Sequence, residues 1–165
     1  MRKLPIRIRS STFVAAAVLV VSCWTPALAQ ETHTHGPGTG VQGLTLNAGQ
    51  KWATDEHLRK AMGRIRDGMN PSIREIHQSR LATPKYAGLA KLADDEVAYM
   101  VANCKLEPKA DAQLHVLIAA ILEGADAMAG KIKQVTRQQG AVKVIGALEN
   151  YGMYFDDPGW KPLAH

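Results

Sequence analysis

Residues 108–132 read PKADAQLHVLIAAILEGADAMAGKI, and this stretch decides the fold because its apolar side chains repeat with a helical period. The inward positions are spaced by four, three, four, three and four residues, at Leu114, Ile118, Ile121, Ala125, Met128 and Ile132. That spacing lines one face of a helix and is typical of the seam of a helical bundle. Pro108 favours a helix start and Gly130 favours a helix end. The stretch therefore predicts a core helix.

Three more segments have the same period and lie at residues 54–76, 83–104 and 135–155. Thr54 and Thr83 are the expected N-caps of the first two, and Pro71 is expected to kink or split the first near residues 69–70. Short connections between long helices make neighbouring helices antiparallel. The sequence thus predicts an all-α, antiparallel up-down-up-down four-helix bundle over residues 51–165.

The first 29 residues have the three parts of a secretion signal. These are the basic residues Arg2, Lys3, Arg7 and Arg9, the short apolar run 13–21, and the small-x-small sequence Ala27-Leu28-Ala29. We expect cleavage after Ala29, which would leave a soluble periplasmic protein. Residues 30–50 are polar and glycine-rich, so they predict a flexible, disordered lead-in containing histidine and glycine. An alternative is a lipid anchor through Cys23, because residues 20–23 loosely resemble a lipoprotein cleavage box.

Charge and cysteine content narrow the function classes. The chain has 20 Lys and Arg against 15 Asp and Glu, but four basic residues belong to the signal, so the remainder carries a formal charge of about +1. No basic stripe with interleaved aromatics is present, so we expect no nucleic-acid partner. No apolar run after the signal predicts a transmembrane segment. Cys104 alone remains after cleavage, which excludes an intramolecular disulfide in the mature chain.

Soft ligand atoms are expected to collect at one end of the bundle. Met62 and His115 should lie at similar heights on the first and third helices, and Met100 and Cys104 occupy the last turns of the second. Thioether, thiol and imidazole groups favour copper in its reduced state. The sequence therefore predicts a metal site, most plausibly for copper, although each of these residues also fits an ordinary packed core.

His33 and His35 form a His-x-His pair in the lead-in, and imidazole suits copper, nickel and zinc. We interpret the pair as an accessory metal-capture site, with a solvated polar tail as the alternative.

Several other functions stay open. One is a cofactor-free interaction or stress-response module, with its working surface at the Trp52, Tyr151, Tyr154 and Trp160 end or with a homodimer formed through Cys104. Another is a b-type haem bundle, which requires Met62 and His115 to point inward together. No Cys-x-x-Cys-His attachment motif and no acid–base constellation is readable, so the sequence predicts a protein that is not an enzyme.

Two stretches resemble a group of small secreted bacterial proteins labelled DnrO-like. These are residues 46–62, which begin LNAGQKWATD, and residues 103–115, which begin NCKLEPKAD. The resemblance covers roughly residues 33–130 and implies secretion, often with a histidine-rich tail. It implies no activity, and this chain has only His33 and His35 in that tail.

Overall fold

The structure is a computed structural model that describes residues 41–164. The predicted signal, Cys23, His33 and His35 lie outside the described residues. The described chain contains these elements: β1 (Trp52–Ala53), α1 (Glu56–Met69), α2 (Ile73–His77), α3 (Thr83–Asn103), α4 (Pro108–Ala129), α5 (Arg137–Tyr154) and β2 (Phe155–Asp156). Four helices are long and α2 is short, so the all-α class is confirmed for this part of the chain.

Two expected helix caps were wrong by one residue. Asp55 caps α1, accepting a 2.7 Å hydrogen bond from the Leu58 amide. The Thr54 hydroxyl instead donates to the Asp156 carbonyl, 2.6 Å away. Thr83 is already helical, and its neighbour Ala82 occupies the cap position without a side-chain bond. Which residue caps a helix depends on the direction from which the preceding segment enters it, and the local sequence does not show that direction.

Pro71 divides the first predicted helix, as expected. A 3-10 turn at Asn70–Ser72 separates α1 from α2, because a proline in a helix interior has no amide hydrogen to donate. The inner stripe continues across the break, and its six members are all buried: Leu58, Met62, Ile65, Met69, Ile73 and Ile76. The break therefore redirects the chain without interrupting the core.

The core lies between the four long helices. Helix α1 packs on α3, α3 on α4, and α4 on α5, while α5 also contacts α1 and α2. The α4 seam is buried from Leu114 to Met128. Gly130 ends α4 as predicted, in a left-handed conformation with φ of 82°. Ile132 was expected to continue the seam, but it lies beyond the end of α4.

Helices α4 and α5 approach backbone to backbone at two glycines. A Cβ atom on Gly124 would lie 2.6 Å from a Val144 methyl group and 2.7 Å from the Gly140 carbonyl oxygen. A Cβ atom on Gly140 would lie 2.6 Å from the Gly124 carbonyl oxygen. No real side chain tolerates such distances, so glycine at both positions sets the separation of the two helices.

Residues 41–50 differ from the flexible lead-in that was expected. The Thr45 amide donates to the side chain of Gln113 on α4 at 2.7 Å, and the Trp52 indole donates to the Thr45 carbonyl at 2.6 Å. Leu44 packs against the core. Strands β1 and β2, which were not expected, then pair in parallel, with Trp52 opposite Phe155. This start of the described chain is therefore attached to α4 and to the end of α5.

The aromatic end that was considered as an interaction surface is used internally. Trp52 and Tyr151 are buried. Tyr151 stacks on Phe155 and meets the Trp160 ring edge-on, with ring centroids 5.5 Å and 4.7 Å apart. The C-terminal segment then leaves this end, because the Ala164 amide donates to the Asn70 side chain at the far end of α1, 3.1 Å away, and Leu163 beside it is buried.

Candidate functional site

Cys104 lies at a junction of loops and not at an open site. It follows the last turn of α3, is half-buried, and lies beside the carboxylate of Asp55. The second oxygen of Asp55 accepts from the Lys105 amide at 2.6 Å. Burial tends to raise the pKa of Asp55, but the Leu58 and Lys105 amides lower it overall. This carboxylate therefore ties the start of α1 to the α3–α4 loop.

The environment of Cys104 keeps its thiol protonated. Burial, together with the negative charges of Asp55 and Asp111, raises the pKa of the thiol to about 12. A thiolate is the form that binds metals and attacks electrophiles. At neutral pH this cysteine is therefore a poor nucleophile.

The structure does not bring the other expected ligands together. Met62 and Met100 are fully buried members of the core. His115 lies on the surface of α4 with 65% of its side chain exposed, 3.4 Å from the carboxylate of Asp111. His115 does not face the core, because it follows Leu114 by one residue and a helix turns by about 100° per residue. The same orientation removes the Met62–His115 pair that a b-type haem would need.

Among residues 41–164, no group of three or more His, Cys, Asp or Glu side chains could hold a metal ion. Copper binding through these residues stays a prediction, as does capture by His33 and His35.

A groove between α4 and α5 forms an open concavity on the surface. Its volume is about 1030 Å³, and apolar atoms make up most of its surface. The apolar lining comes from Val41, Val116, Ala119, Ala120 and Val142. We name this surface the α4–α5 groove.

Polar side chains form the rim of the α4–α5 groove. His115, Gln138 and Gln139 contribute polar atoms, and Glu123 pairs with Lys143 across the two helices at 2.5 Å. The Glu123–Lys143 pair neutralises its own charges, so the groove carries no strong net charge. Such a surface suits an apolar ligand with a few polar groups.

The sequence contains one indication of this groove, which is a set of small apolar residues on α4 outside its predicted seam. Val116, Ala119 and Ala120 recur at spacings of three and one beside the buried seam of α4. Helix α4 is consequently long and apolar enough to cross a membrane by length and composition, yet half of that window is buried as core. A core helix passes the same test, so this is weak evidence for a membrane span. The surplus of small apolar residues indicates a second apolar face.

The chain was compared with protein-family models, curated proteins and solved structures. No protein-family model, curated protein or solved structure matches the chain. The likeness to DnrO-like proteins stays a prediction.

Proposed function

We propose that the protein is an exported, non-enzymatic helical binding protein and that its α4–α5 groove holds a small, largely apolar molecule. The observation that carries this proposal is the groove itself, with a volume of about 1030 Å³ and a mainly apolar lining. Pockets that hold small organic ligands measure about 300–1,000 Å³ and have apolar walls with few polar groups.

The side chains of the groove explain its shape and the kind of ligand it favours. Ala119 and Ala120 are too small to fill the space beside Val116 and Val142, so a trough remains along α4. At the start of α5, Gln138 offers its amide group for hydrogen bonds to one end of a ligand. The oxygen of the Gln139 amide accepts from Thr136 in the helix cap, so Gln139 offers only its amide nitrogen. We therefore infer an elongated apolar molecule with one polar, uncharged end.

Export and bundle topology belong to the same proposal. The basic start, apolar run and Ala-Leu-Ala sequence of residues 1–29 support secretion to a periplasm. The short connections and the sequential packing of α1, α3, α4 and α5 support an antiparallel up-down-up-down four-helix bundle.

The environment of Cys104 and the surface position of His115 favour this apolar ligand over copper. A protonated thiol and an outward imidazole do not form a preorganised soft-metal site.

The test uses Nile red, an uncharged apolar dye, with protein produced from the full-length gene. Ala119→Trp places an indole in the groove, and Ala98→Trp is the matched control because Ala98 is an exposed alanine on α3. Dye fluorescence is titrated for both variants and for the unchanged protein. Circular dichroism verifies that each remains helical.

We expect saturable binding to the unchanged protein and to Ala98→Trp. Ala119→Trp should weaken binding at least about tenfold, which corresponds to about 1.4 kcal/mol. Any dye that binds elsewhere, including on a retained signal, is common to the variants. Equal dye affinity in Ala119→Trp and Ala98→Trp, or no saturable binding at all, would refute the proposal.

A further inference from the structure

A second concavity, which we name the α1–loop cleft, lies between the outer face of α1 and residues 157–159. Its volume is about 530 Å³. Three basic residues, Arg59, Lys60 and Arg66, line it together with a single acidic residue, Asp157. The lining therefore carries a net positive charge.

The carboxylate of Asp157 accepts hydrogen bonds from residues near it in the sequence. One oxygen of Asp157 accepts from the Tyr151 hydroxyl at 3.1 Å, and the other accepts from the Gly159 amide at 2.9 Å. These two bonds hold the carboxylate in the turn that forms one wall. Both donors are neutral, so the carboxylate keeps its negative charge, but it lies within ion-pair distance of none of the three basic residues of the cleft.

Arg66 is held as a fixed wall of the cleft. Its guanidinium donates to one oxygen of Asp67 at 2.7 Å and 2.9 Å and lies 5.1 Å from the Trp160 ring centroid. Only 12% of its side chain is exposed. Arg66 is therefore already neutralised, and the free positive charge comes from the other two basic residues.

Arg59 and Lys60 have no carboxylate within ion-pair distance among residues 41–164. Arg59 uses one nitrogen to bind the Thr54 carbonyl and hydroxyl, at 2.9 Å and 3.0 Å, which positions its guanidinium. The ammonium of Lys60 lies 5.4 Å from the Tyr99 ring centroid. Both cations retain donors for an anion.

Gly63 leaves space on α1 beside these cations. A Cβ atom built there would lie 4.0 Å from its nearest neighbour, a guanidinium nitrogen of Arg66. Since Gly63 adopts an ordinary helical conformation, alanine would be the better helix former, and nothing in the packing requires glycine. The missing side chain enlarges the cleft between the basic residues and the 157–159 turn.

We propose that the α1–loop cleft binds a small phosphate-bearing molecule, with its phosphate on Arg59 and Lys60 and its organic part over Gly63. Guanidinium and ammonium groups form charge-assisted hydrogen bonds with phosphate oxygens. The cleft is larger than a bare phosphate ion, which favours a phosphate ester. This site is separate from the α4–α5 groove, and neither proposal depends on the other.

The test measures binding of glycerol 3-phosphate and of inorganic phosphate by isothermal titration calorimetry at constant ionic strength. Gly63→Glu places a competing carboxylate in the cleft. Gly88→Glu is the matched control, because Gly88 is an open glycine on α3 with nothing near its Cβ position. Lys60→Gln removes one cation without adding a charge and serves if Gly63→Glu does not fold. Amide NMR signals of Gly63 and Gly159 report where the ligand binds.

We expect saturable binding of glycerol 3-phosphate, tighter than that of inorganic phosphate, with shifts at Gly63 and Gly159. Gly63→Glu and Lys60→Gln should each weaken it at least about tenfold, the loss expected for a charged hydrogen bond. Gly88→Glu should change it by less than about twofold. The proposal is overturned if neither phosphate saturates, if inorganic phosphate binds as tightly as its ester, or if Gly63→Glu and Gly88→Glu weaken binding equally.

Discussion

The substitution Gly140→Ala tests whether α4 and α5 touch through their backbones. A methyl group at this position would lie 2.6 Å from the Gly124 carbonyl oxygen and 2.8 Å from the Met128 amide nitrogen. An ordinary contact begins at about 3.4 Å, so the helices would have to separate by roughly 0.8 Å. These two atoms belong to the backbone, and the third obstructing atom is the Cβ of Ala127 at 2.7 Å, so none can rotate away as the end of a flexible side chain would.

The expected magnitude combines two opposing effects. Overpacking a close-packed interior costs about 1–3 kcal/mol, and backbone obstruction places Gly140→Ala near the upper end. Alanine regains up to about 1 kcal/mol in helix propensity. We therefore expect a net loss of about 2 kcal/mol in the free energy of unfolding. The control Gly88→Ala has no atom within 4 Å of its Cβ position and should gain about 0.5–1 kcal/mol.

Urea unfolding followed by far-ultraviolet circular dichroism measures both variants against the unchanged protein. The free energy of unfolding should fall below that of the unchanged protein in Gly140→Ala and rise above it in Gly88→Ala. The two variants should therefore differ by about 3 kcal/mol. If Gly140→Ala unfolds at the same urea concentration as Gly88→Ala, or at a higher one, the two helices do not meet as described. The close approach of the two helices at Gly124 would then be contradicted as well.

Three further outcomes are expected. Thr136→Ala should lower the free energy of unfolding by about 1 kcal/mol in urea titrations, because it removes the capping box that Thr136 forms with Gln139; an unchanged midpoint would contradict this cap. Cys104 should resist iodoacetamide at neutral pH in the folded protein and react after denaturation, since its raised pKa leaves little thiolate; rapid labelling of folded protein would contradict the buried thiol. The folded thiol also keeps its proton between pH 9.0 and about 12 while the unfolded chain loses it, so stability falls as the pH rises through this range. Cys104→Ala should show a smaller fall in alkaline urea titrations, and an equal fall would refute this linkage.

Local sequence was sufficient for the helical elements because their causes are local. The apolar stripe from Leu58 to Ile76 predicted a buried face, and that face is buried. Pro71 lacks an amide hydrogen and Gly130 tolerates a positive φ, so the break after α1 and the end of α4 were both predictable. These outcomes depend on residues within one or two turns of each other.

The candidate ligand set was harder to predict because small rotations decide which side chains face inward. Leu114 is buried while the next residue, His115, is exposed. Asp55 rather than Thr54 caps α1, because the Thr54 hydroxyl donates to the carbonyl of Asp156, which is 102 residues away in the sequence. The raised pKa of Cys104 likewise comes from burial beside a carboxylate of a distant segment. The Asp55 cap and the thiol pKa have no signal in nearby residues, whereas the outward position of His115 follows from its place one residue after Leu114.

The sequence by itself determined that residues 54–155 are mainly helical, where the long helices lie and which stripe of α1 and of α4 is buried. The two concavities were decided only by tertiary structure. The α4–α5 groove exists because glycines bring two helices together while alanines beside the contact leave space. The α1–loop cleft exists because the C-terminal segment passes beside the basic face of α1. Periodicity specifies which face of a helix is apolar, but the shape between elements depends on how distant segments pack.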